Sequence, residues 1–167
     1  MTARSRILGS ALAALTLTLT MGGCMTDDTS LRDDRGDDTV IFPMSKEESQ
    51  GLIWGVESEV VSLLPAGMVL EVKQATDDNS LTCAPGGVMW TGLTLAKTVT
   101  PPDPDELLAA IRARWGQESG YTVDVETMSD GAPLITLSGP RHDDYLIEAY
   151  GTTLEVRSFG PCVRRDA

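Results

Sequence analysis

The only histidine in this chain stands in Gly139-Pro140-Arg141-His142-Asp143-Asp144. An imidazole flanked by two carboxyls can act as a general base or a weak metal ligand. The same hexapeptide also reads as a solvated turn between strands, and that reading is adopted. A second arrangement comes from pairing. If Tyr145 to Ser158 forms a hairpin turning at Gly151-Thr152, then Ala149 faces Leu154, Ile147 faces Val156 and Tyr145 faces Ser158, which sets Glu148 opposite Glu155. The two glutamates could do acid/base chemistry or hold a hard cation with Asp124 and Glu126 nearby. In the plainer account Arg157, diagonal to Glu148, and water neutralise a solvated sheet face. Trp54 and Trp90 lie out of phase with the apolar residues around them, so each is a candidate for a partner-binding patch, with core or rim packing as the other reading. Gly116-Gln117-Glu118-Ser119-Gly120 places its serine one position too late for a nucleophile elbow, and no Ser-x-x-Lys or phosphate-cradling glycine loop occurs. No cofactor, metal or catalytic residue is therefore assigned.

Composition narrows the field further. The 167 residues carry 13 Lys plus Arg against 25 Asp plus Glu, a formal charge of −12. Such a chain has no basic footprint for phosphates, so nucleic acid is not expected as a partner. One histidine and three cysteines also leave no room for most His- or Cys-rich metal sites.

The amino terminus is the most informative stretch. Arg4 and Arg6 precede an apolar run from Ile7 to about Met21, no acid occurs before Asp27, and Gly22-Gly23 lead into Cys24. This is a secretory layout. The run is about 15 residues long, short of the roughly 20 needed to span hydrocarbon. Met21-Gly22-Gly23-Cys24 resembles the lipobox of bacterial lipoproteins, with Met21 where Leu is usual. The resemblance implies a diacylglyceryl group on the Cys24 thiol and cleavage just before it, so residues 1–23 are expected to be a lipoprotein signal peptide. Two acyl chains anchor stably where one does not. Acylating Cys24 also removes the odd thiol, leaving Cys83 and Cys162 as a pair expected to form a disulfide in an oxidising exterior. Residues 24–41 read as the lipidated cysteine and a disordered acidic tether, since Asp27, Asp28, Asp33, Asp34, Asp37 and Asp38 repel one another among small polar residues.

From residue 42 to 167 the composition suits one folded domain. Ser45 and Glu48 form a capping-box signature, and Leu52, Ile53, Val56, Val60, Leu63 and Leu64 recur at helical spacing until Pro65. Met68, Leu70 and Val72 alternate as a half-buried strand, residues 74–87 read as a polar loop, and a second strand covers about 88–98. Asp103, Pro104 and Glu106 start a second helix with Leu107, Leu108, Ile111 and Trp115 on its apolar stripe. Four further strands follow. Helix, two strands, helix, four strands predicts an α+β two-layer sandwich, with an antiparallel sheet of about five to six strands and two helices on one face.

In this order of parts the chain resembles small actinobacterial cell-envelope lipoproteins of the mycobacterial LppA type. The likeness rests on the lipobox-like Cys24, the polar spacer, the helix ending at Leu64-Pro65-Ala66-Gly67, the placement of Cys83, and the closing Gly160-Pro161-Cys162. That group brings no settled activity with it. The expectation is a protein lipid-anchored to the cell membrane through Cys24, on its extracytoplasmic face, binding an unidentified envelope protein or ligand without catalysis. The alternative is a small envelope hydrolase or cation-dependent enzyme using Glu148 and Glu155.

Overall fold

Ser45 starts the first helix by the reciprocal bonding that its spacing to Glu48 suggests. Its hydroxyl accepts from the Glu48 N–H at 3.1 Å, while the Glu48 carboxylate accepts from the Ser45 N–H at 2.7 Å. Helix α1 runs Lys46–Ser62 and buries Ile53, Val56, Val60 and Val61. The computed structural model describes residues 40–77 and 79–165. The expected signal peptide, Cys24 and the acidic stretch up to residue 39 lie outside the described residues.

Among the described residues eight strands follow in chain order: β1 (Val69–Gln74), β2 (Ser80–Ala84), β3 (Gly87–Thr98), then helix α2 (Pro104–Trp115), β4 (Thr122–Thr127), β5 (Pro133–Ser138), β6 (Asp144–Tyr150), β7 (Thr153–Phe159) and β8 (Val163–Arg164). Asp103 caps α2 by accepting from the N–H groups of Asp105 and Glu106 at 2.9 and 3.2 Å. The strands form an open antiparallel sheet in the order β1-β3-β7-β6-β5-β4, with β2 and β8 paired to the first residues of β3. Along β3 the even-numbered residues from Val88 to Thr98 are buried and the odd-numbered ones are not. Trp90 and Ala96 from that buried set join Ile135, Leu137, Tyr145, Ile147, Leu154 and Val156 in one apolar cluster with Ile53 and Val60 of α1 and Ile111 and Trp115 of α2. The opposite face of the sheet carries no helix from among the described residues.

The class is thus α+β and sheet-rich, with more strands than the expected five to six. One extra strand, β2, lies inside residues 74–87, expected to be loop. Its five residues carry little strand signal of their own. They form a strand because Pro85-Gly86 makes a two-residue turn, with Gly86 at φ +78°, that folds them back on Val88–Trp90. The other, β8, is two residues long and rests on the same end of β3. A second correction concerns β1. Leu70 and Val72 are 68% and 49% exposed instead of half-buried, because a bulge between Val69 and Glu71 breaks the alternation and β1 is an edge strand.

Cys83 of β2 and Cys162 are joined by a disulfide with an S–S distance of 2.01 Å. Gly87 makes room for it, since a Cβ there would lie 2.7 Å from the Cys162 sulfur. Beside this bond the Phe42 N–H donates to the Cys162 carbonyl at 2.8 Å, and Phe42 bridges Val163 in parallel.

Candidate functional site

The turn Gly151-Thr152 closes β6 on β7 in the predicted register, with Ala149 opposite Leu154, Ile147 opposite Val156, Tyr145 opposite Ser158 and Glu148 opposite Glu155. Alternation then puts Leu146, Glu148, Glu155 and Arg157 on the uncovered face. There Arg157 answers the charge problem. One of its terminal nitrogens donates to Glu148 Oε1 at 2.7 Å, and its Nε lies 3.0 Å from Glu155 Oε1. Two carboxylates share one guanidinium, so the group keeps a net charge of about −1.

Glu148 is 5% exposed, and its second oxygen, Oε2, is buried without a hydrogen-bond partner. A buried, unpartnered carboxylate oxygen is costly, and it marks where a donor would be welcome. Nearby, the β5–β6 ladder ends at Ile135–Ile147, with Pro133 two residues further along β5. Proline has no N–H to give a ladder, and the two strands part around it. The gap is a cavity of about 70 Å³ walled by Glu148, Ala149, Tyr150 and Pro133 and closed by Met128 and Asp130 of the β4–β5 loop. A cationic or hydrogen-bond-donating group of small size matches that wall chemically.

Asp124 and Glu126 do not reach this pair directly. They pair with Thr136 and Leu134 of β5, which therefore stands between them and β6. Among the described residues, no three or more His, Cys, Asp or Glu side chains are grouped to hold a metal ion.

Trp54 and Trp90 meet each other between α1 and β3, ring centroids 6.3 Å apart and nearly perpendicular. Trp90 is 3% exposed. The Trp54 indole N–H donates to the Ala75 carbonyl at 3.2 Å, tying the helix to the end of β1, and the Lys46 ammonium sits 5.7 Å from the Trp90 ring centroid. Neither ring is a free surface aromatic.

His142 is exposed in the β5–β6 turn at φ +59°, with its ring edge-on to Phe42 at 5.7 Å. Asp143 turns inward instead of toward the imidazole. One of its oxygens accepts from the Tyr145 hydroxyl at 2.9 Å and the other from the Arg141 N–H at 3.1 Å. Burial, then the adjacent Asp143 charge and this hydrogen bond, push the Tyr145 phenol well above its usual range. Tyr121 is raised too, by burial first and then by Asp143. The His142-Asp143 pair is therefore no catalytic dyad; Asp143 braces the turn.

A polar cluster in the interior centres on a residue that belongs to no sequence motif. Glu57 is fully buried on α1. Its Oε1 accepts from the Ser158 hydroxyl at 2.6 Å, and its Oε2 from the Thr94 hydroxyl at 2.7 Å and the Gln74 amide at 2.9 Å. Three strands and one helix meet at this carboxyl group. Gly92 leaves the space, since a Cβ there would lie 2.2 Å from Glu57 Oε1. A signal was present: Glu57 follows Ile53 by four residues, on the same helical face. With all its donors neutral and fixed, the group is suited to holding the fold, not to turnover.

Compared with protein-family models, with curated proteins and with solved structures, the chain matches none of them. No helix among the described residues is long and apolar enough to cross a membrane.

Proposed function

We propose that this chain is an extracytoplasmic lipoprotein of the actinobacterial cell envelope, anchored to the cell membrane through Cys24 and acting as a non-enzymatic binding or accessory module. The observation that carries the reading is the Cys83–Cys162 bond. It consumes two of the three cysteines and leaves Cys24, at the lipobox-like position, as the remaining thiol. A structural disulfide also suits a compartment outside the reducing cytosol. The binding surface is the uncovered sheet face around Glu148, where the unpartnered oxygen and the small cavity lie close together. Its partner is an envelope protein or ligand presenting a positive or donor group, and the acidic charge argues against nucleic acid. Arg157 engages both glutamates, which favours binding over the acid/base work of the enzyme alternative.

Cys24→Ser tests the anchor. In a producing bacterium fed labelled palmitate, the unaltered chain is expected to carry label and to sediment with membranes, while the variant is unlabelled and leaves the membrane fraction. Absence of label on the unaltered chain would overturn the reading.

A further inference from the structure

The free edge of β1 is matched to itself. Ala75 donates its N–H to the Leu93 carbonyl at 2.8 Å, so in the β1–β3 ladder the hydrogen-bonded positions facing β3 are residues 75, 73 and 71. Val72 and Gln74 therefore turn their own N–H and C=O groups to the open side. Among the described residues no other strand takes them up, because β1 ends the sheet. Unpaired edge groups beside exposed apolar side chains, here Leu70 and Val72, are a template for another strand.

We infer that the strand which fits is β1 of a second copy, antiparallel and centred on Val72. In that register Val72 and the partner's Val72 exchange both of their free hydrogen bonds across a twofold axis. Glu71 then stands opposite the partner's Lys73, and Lys73 opposite the partner's Glu71. These are non-hydrogen-bonded positions, where facing side chains come closest. Opposite charges so placed are stabilising and like charges destabilising. Within one chain Glu71 lies 3.4 Å from Lys73 and 3.7 Å from Lys97, its cross-strand neighbour on β3, so its carboxylate already sits among ammonium groups on the uncovered face and the partner's Lys73 would join them from the open side.

The other edge provides the contrast. Centring β4 on Val125 would set Asp124 against the partner's Glu126, acid on acid. One self-complementary edge and one self-repelling edge make a closed pair instead of a growing fibre. Helix α1 permits the pairing. It lies over β1, as the Trp54-to-Ala75 and Gln74-to-Glu57 bonds show, and after its first turn its exposed residues are all small: Gly51, Gly55, Ser58 and Ser62. Two such helices can approach over the seam without clash. The bulge at Val69 and the lysine at position 73 guard the edge against strands of arbitrary sequence, yet the lysine is satisfied by the partner's Glu71 in this register alone.

Charge exchange tests the inference at small cost to the fold, since both side chains are exposed and the contacts of Glu71 with Lys73 and Lys97 within the chain are surface ion pairs. For the full chain purified in detergent, sedimentation is expected to show a dimer. Glu71→Lys and Lys73→Glu should each weaken it about tenfold, and the double variant should restore it. Val72→Cys should cross-link two copies under mild oxidation, because facing residues of a hydrogen-bonded pair lie about 5.5 Å apart at Cα. Val125→Cys should not. A monomer at tens of micromolar, single reversals without effect, failure of the double variant to recover, or equal cross-linking from positions 72 and 125 would each overturn the inference.

Discussion

At the scale of single residues, the fold depends on a carboxyl group that has no cation beside it. Glu57 is held by a serine, a threonine and a glutamine from three strands, so truncating it strands several donors and opens a cavity. Glu57→Ala is expected to cost about 3 to 5 kcal/mol in a denaturant titration. Glu57→Gln should cost less, since its amide oxygen can still accept from Thr94 and Gln74 while its NH2 donates to a rotated Ser158 hydroxyl. Tyr145 supplies a pH signature. Burial and Asp143 raise its folded pKa above the ordinary 10.0. As pH climbs past about 10 the unfolded chain sheds the phenolic proton and the fold retains it. The stabilisation is complete below that pH and is lost on approach to the folded value. The melting temperature should therefore fall between about pH 9 and about pH 11, and fall less steeply in Tyr145→Phe. Such residues are hard to read from a string of letters. Glu57 looks like an interruption of an apolar stripe, because its partners lie 17, 37 and 101 positions away.

At the scale of elements, what could be read was what is encoded locally. The Ser45-Glu48 spacing, the Asp103-Pro104 start and the two-residue turn at Gly151 each act over a few residues, and β6 and β7 adopted the register their alternation dictates, down to Glu148 opposite Glu155. What was missed depends on a distant partner. The strand β2 exists because β3 extends far enough to receive it, and the exposure of Val72 follows from the place of β1 at the edge of the described sheet. The disulfide holds β2 to the chain's end. Reducing it, or replacing both cysteines with serine, should lower unfolding stability by about 2 to 4 kcal/mol, with amide exchange rising first in β2 and β8. Uniform loss of protection across the sheet would contradict that local role.

At the scale of the whole molecule, charge decides how two copies meet. Removal of residues 1–23, as proposed, takes away Arg4 and Arg6 and leaves 11 basic against 25 acidic residues, a net of −14. Two such bodies repel over distances that salt screens, with a Debye length of about 10 Å at 0.1 M. The exposed Glu71 and Lys73 pairs are short-range and contribute only about 0.2 to 1 kcal/mol each. The long-range term is the larger, so the dimer should tighten as salt rises from about 20 to about 200 mM; sedimentation at the two ionic strengths reads this directly. The junction at Phe42 has a mechanical meaning as well. Tension applied to the amino-terminal end enters at Phe42 and passes at once to Cys162, then through a covalent link to Cys83 and into β3. While the Phe42-to-Cys162 hydrogen bond and the Phe42–Val163 bridge hold, part of the load is taken by the disulfide-linked end of the sheet before it reaches α1.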